Sequence, residues 1–157
     1  MSNVTTTIPT VLKYTSQIAS FPLRWFYTEQ KLDEFIKLDI SASGGGIEYY
    51  FPSQEGNCWL KAYNLSPFDF TFDRMQVDVS IDGASFVCTS TMPILIKGMS
   101  EKQIYVRSKS PMTPDAARSA KESKQGRVDV YIYVISSIRK FEVKRHIQDI
   151  KNCRVIA

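Results

Sequence analysis

Residues 68–90, FDFTFDRMQVDVSIDGASFVCTS, constrain the fold more than any other stretch of the chain. Phe68, Phe70 and Phe72 alternate with Asp69 and Thr71, and Met75, Val77, Val79 and Ile81 alternate with Gln76, Asp78 and Ser80. A period of two turns one side of an extended strand into core and leaves the other side wet. Asp82-Gly83 then supplies the positive-φ pair of a type I′ turn, and Phe86 and Cys88 begin the return strand. The phase slips between Phe72 and Met75, which predicts a bulge at Asp73-Arg74. The centre of the protein is therefore an antiparallel hairpin.

The flanking segments extend this pattern. Ile36, Leu38 and Ile40 alternate with Lys37 and Asp39, and further strands are expected at residues 47–51, 58–63, 94–97 and 103–108. Val128, Val130, Ile132 and Val134 form one face of another strand, with Tyr131 and Tyr133 on the opposite face. The last segment of the chain carries Phe141, Val143 and Ile147 alternating with basic residues, as one or two edge strands do. Helical patterning is confined to residues 10–19, to residues 28–36 with Thr28 as N-cap, and to residues about 113–125, with Thr113 as N-cap and Pro114 at the first position. Seven to nine short strands with frequent turn signals predict a mainly β fold. The expected form is an antiparallel, immunoglobulin-like β-sandwich (residues 36–157) with a helical, aromatic N-terminal extension (residues 1–35) and one late helix.

Composition excludes more than it assigns. A chain of 157 residues with 43% hydrophobic and 23% charged residues is long enough to bury one core without crosslinks. No run of about 20 apolar residues is present, so no transmembrane helix is expected. The first residues, MSNVTTTIPTVLKY, lack the basic-then-apolar pattern of a secretory signal, and the expected location is cytoplasmic, possible attachment to a membrane periphery included. Cys58, Cys88 and Cys153 are widely spaced and His146 is the sole histidine, so neither a metal site nor a cofactor is expected. A Cys58–Cys88 bridge between facing strands is the alternative to three free thiols. There is no GK[ST] after Gly44-Gly45-Gly46, no GxSxG elbow, and His146 in KRHIQD reads as a surface residue. Asp69 and Asp73 read as flanking the bulge or pairing with Arg74. The chain is expected not to be an enzyme, with an unrecognised carboxylate site as the alternative.

Two features point to binding. SFPLRWFY packs Phe21, Leu23, Trp25, Phe26 and Tyr27 around Arg24, too many aromatics for an ordinary surface loop. The segment is either a lid buried under the sandwich or a docking element for a partner or a membrane interface. The second feature is charge: residues 1–101 hold 7 Lys/Arg against 11 Asp/Glu, whereas residues 102–157 hold 13 against 5. Lys102, Arg107, Arg118, Lys121, Lys124 and Arg127, with Lys109, form a candidate basic cluster. Such a cluster attracts an acidic protein, another copy of the chain head to tail, or anionic lipid. Nucleic acid is the alternative, with Tyr105, Tyr131 and Tyr133 as stacking platforms.

The run WLKAYNLSPFDFTFDRMQVDVSIDGASF, followed by ILIKGMSEKQIYVRS, resembles the LEA14-like or water-stress-hypersensitivity (WHy) domain. Asn64 and Pro67 match that family's turn, residues 75–81 and 84–88 its hairpin, and residues 103–107 a later strand. The turn here is Asn64-Leu65-Ser66-Pro67 where the family has an Asn-Pro-Asn type. The resemblance spans about 50 residues, roughly 59–108. It implies an immunoglobulin-type sandwich and a non-catalytic protein that binds or protects macromolecules, with no site residues to transfer.

Overall fold

The computed structural model describes residues 22–41, 45–81, 83–123, 125–151 and 153–156. After a helical turn at residues 22–26 the elements run in the order α1 (Glu29–Glu34), β1 (Ile36–Ile40), β2 (Ile47–Tyr50), β3 (Glu55–Asn64), β4 (Phe70–Ile81), β5 (Ala84–Ser90), β6 (Ile94–Ile96), β7 (Ser100–Lys109), α2 (Pro114–Ser123), β8 (Gly126–Ser136), β9 (Lys140–Ile150) and β10 (Cys153–Ile156). The chain is mainly β and folds as a two-sheet sandwich.

Each sheet is built on one long strand. In the first, β7 pairs along the whole of β3, while β1 and β2 divide β3's other side and β10 lies beyond β2. In the second, β8 flanks β4 on one side with β9 beyond it, and β5 and β6 divide the other side. The anticipated hairpin is β4–β5, with Ile81 opposite Ala84 across a two-residue turn. Gly83 has φ +85, the value this turn requires, whereas Asp82 lies outside the described residues. The bulge is also where the alternation places it, as a register shift between Phe72 and Arg74. Asp73 and Arg74 pair there at 3.6 Å.

Three expectations change. Ten strands are present among the described residues instead of seven to nine. One pairing is parallel, between β10 and β2, because β10 returns to the first sheet from the second. The late helix, expected to about residue 125, ends at Ser123, and β8 begins at Gly126. The helix predicted at residues 10–19 lies outside the described residues.

The inward faces of both sheets form a single core around Tyr49, Leu60, Phe70, Phe72 and Phe86, and Leu32 of α1 is fully buried in it. One open side of the sandwich is stitched by β7 and β5, where the Ser108 hydroxyl donates to the Val87 carbonyl. On the other side Arg145 of β9 donates to the carbonyls of Asp33 (2.7 Å) and Ile36 (2.9 Å) and pairs with the Asp33 carboxylate at 3.0 Å. The three cysteines are free and buried, and Cys88 donates to the Gly56 carbonyl at 3.2 Å in place of a bridge to Cys58. Burial disfavours the thiolate, pushing Cys153 up to about 11 and Cys88 to about 12, and Cys58 is raised as well.

Candidate docking surface

At one end of the sandwich lie the β3–β4 loop (residues 65–69), the β6–β7 turn (97–99) and the β8–β9 turn (137–139). Register brings them together, since Phe70 at the start of β4 faces Ile96 on one side and Ser136 on the other. The first loop is built on Asn64, whose side-chain amide donates to the carbonyls of Phe68 (2.7 Å) and Ile96 (3.2 Å). Its oxygen accepts from the Ser66 amide (3.0 Å) and hydroxyl (2.7 Å), so every polar atom of this buried residue is engaged.

The aromatic segment is fastened to this end by two arginines. Arg24 Nε donates to the Ile138 carbonyl at 3.0 Å, and Arg139 returns the contact through Nη2 to the Arg24 carbonyl (2.6 Å) and Nε to the Tyr27 carbonyl (3.0 Å). Tyr27 turns inward, edge-on to Phe68 with centroids 4.9 Å apart. Residues 22–26 turn the other way. Trp25 is 86% exposed and Phe26 69%, so the described part of the segment is not a lid. Phe21 lies outside the described residues.

Other apolar side chains surface nearby. Leu65, Leu95 and Met99 are exposed on the neighbouring loops and on β6. Met99 is the least expected of them, because it is 73% exposed and holds φ +53, a left-handed conformation that most side chains avoid. Its amide donates to the Ser66 carbonyl at 2.8 Å, which ties it to the Asn64 loop. Arg24, Lys31, Lys97, Lys102 and Lys140 are exposed around these residues, against the exposed carboxylates Asp69, Glu29 and Glu34. Glu101 is neutralised by Lys61 at 2.8 Å.

The expected basic cluster is dispersed. Lys102 sits at the aromatic end and donates to the Leu95 carbonyl at 3.0 Å. Arg107 lies five residues along β7, about 16 Å away at strand spacing. Arg118 and Lys121 are on the exposed side of α2, whose Ala117 and Ala120 face the core, and Arg127 stands at the start of β8. These three occupy the opposite end, next to the β4–β5 turn, where a Cβ on Gly83 would lie 4.0 Å from Ser119 Oγ. Lys124 lies outside the described residues. The tyrosines separate too: Tyr105 stacks on Trp59 outside the first sheet, while Lys144 covers Tyr131 and Arg74 covers Tyr133 outside the second.

One grouping was missed by the sequence reading. Asp78 on β4 stands opposite Asp129 on β8, which in turn stands opposite His146 on β9. His146 Nδ1 meets the Asp129 carboxylate, and Gln148 lies 2.7 Å from Nε2, so both ring nitrogens are occupied. Beside them, Gln76, Asp78, Tyr131, Glu142 and Lys144 line a shallow hollow of about 500 Å³. The signal was the matched outward phase of three strands, which is visible only once their register is known.

No family model matches the chain, and no curated protein matches it. Solved structures give distant likenesses. A protein from Archaeoglobus fulgidus is 9% identical with a TM-score of 0.38, over 72% of this chain and 94% of that one. The ligand-binding region of serine-glutamate repeat protein A of Enterococcus faecium is 9% identical with a TM-score of 0.38, over 77% of this chain and 98% of that one. The sporulation control protein Spo0M of Bacillus subtilis is 12% identical with a TM-score of 0.30, over 78% of this chain and 49% of that one. Likenesses at this level carry no argument about what the chain does, and its reading rests on its own surface.

Proposed function

We propose that this chain is a non-catalytic β-sandwich interaction module that docks through the end holding residues 22–27. The observation that carries this reading is Trp25 and Phe26 facing solvent on a backbone pinned by Arg24 and Arg139. Exposed aromatics on a fixed backbone leave binding only side-chain freedom to remove, which favours association.

The test is a comparison of the protein with a W25A/F26A variant. Docking side chains contribute little to the free fold, so the variant keeps its melting temperature within a few degrees. In a W59F background, Trp25 emission is red-shifted and open to acrylamide quenching. A blue-shifted, protected Trp25 together with a large loss of melting temperature would mean the segment is core, and would remove the proposal.

A further inference from the structure

We infer that the occupant of this end is an anionic membrane surface, an inference that rests on the docking reading above. Three observations select lipid over a protein groove. First, the exposed apolar residues come from separate loops and tip positions: Trp25 and Phe26 from the N-terminal turn, Leu65 from the β3–β4 loop and Met99 from the β6–β7 turn. Side chains scattered over the end of a sandwich suit a fluid apolar phase, which needs no shape match. Trp in particular favours the half-wet interfacial layer.

Second, the apolar tips are ringed by cations. Arg24, Lys31, Lys97, Lys102 and Lys140 are exposed there and outnumber Asp69, Glu29 and Glu34. That excess complements a negatively charged leaflet, where each well-placed Lys or Arg adds attraction within a Debye length of the surface. Third, Met99 is displayed from a strained backbone position. Asparagine or glycine would suit that backbone better, and the methionine that stands there instead adds an exposed apolar side chain to the tip. The sandwich would stand on its loops, with the β-strands running away from the bilayer and α2 at the far end.

The experiment is flotation of the full chain with two kinds of vesicle, pure phosphatidylcholine and equal parts phosphatidylcholine and phosphatidylserine. The inference expects flotation with the mixed vesicles alone, and a blue shift of Trp25 emission in the W59F background on binding. W25A/F26A and K97E/K102E should each lower the bound-to-free ratio about tenfold or more, and added salt should release the protein. Equal flotation with both vesicles would overturn the anionic requirement. Absence of flotation with an exposed, quenchable Trp25 would overturn lipid as the occupant and leave the docking reading standing for a protein partner or a second copy. A shielded Trp25 in the free protein would overturn both.

Discussion

Two residues at the proposed docking end show how local chemistry divides between stability and exposure. Asn64 is buried, and its amide holds the β3–β4 loop against β6. In Asn64→Ala the Ser66 amide and the Ile96 carbonyl lose this partner, at a cost of about 1–3 kcal/mol for each group left dry, while the Ser66 hydroxyl still donates to the Phe68 carbonyl at 2.9 Å. Urea denaturation should show a stability loss of about 2–4 kcal/mol in that variant. Met99→Asn should act in the opposite sense. Asparagine tolerates φ +53, so the variant should gain about 1 kcal/mol in the same measurement while binding mixed vesicles less well. The turn at Asn64 was legible as a turn, because Asn, Ser and Pro crowd four positions. Met99 was not legible at all, since a left-handed methionine is dictated by the Ser66 contact and by nothing in its own chemistry.

At the scale of elements, the long strands were readable and the short ones only in part. β4 and β8 each bury every second residue over most of their length, so period alone identifies them, down to the bulge at Asp73-Arg74. β10 has four residues, too few for a period to register, whereas β6, with three, falls within the strand expected at 94–97 from its apolar run. The late helix was visible through its cap, and Thr113 Oγ1 does accept from the Ala116 amide at 3.3 Å. The aromatic segment was recognised as unusual, but its orientation depends on Arg139, more than a hundred residues away in sequence. Arg139→Ala should therefore free the segment without unfolding the sandwich. Hydrogen exchange at residues 24–27 is expected to accelerate about tenfold, in line with roughly 1–2 kcal/mol for the lost bonds, while β4 and β8 keep their protection.

For the molecule as a whole, the division of charge along the sequence does not become a division of space. Strands from both halves of the chain occur in each sheet: β7 and β10 join β1–β3, and β8 and β9 join β4–β6. Lys102 and Lys121, both in the basic half, stand at opposite ends of the sandwich because β7 carries the chain from one end to the other between them. The shared core gives a pH response with a defined sign. The thiols ionise near 9 in the unfolded chain but only at about 11 (Cys153) or about 12 (Cys88) in the fold, so the native state binds more protons between those values. Their contribution is complete below pH 9 and is lost as pH rises, by up to about 1.4 kcal/mol per pH unit for each thiol. Denaturation at pH 8 and pH 10 should show lower stability at the higher pH, and Cys153→Ala should reduce the slope. The β10–β2 pairing has a different consequence, which concerns synthesis. Residues 47–50 find their outer partner only in residues 153–156, so on a ribosome adding about 5–20 residues per second the β2 edge waits roughly 5–20 seconds for it. Throughout that interval it offers unpaired backbone amides and carbonyls to any neighbouring nascent chain, making β2 the place where crowded translation would first go wrong.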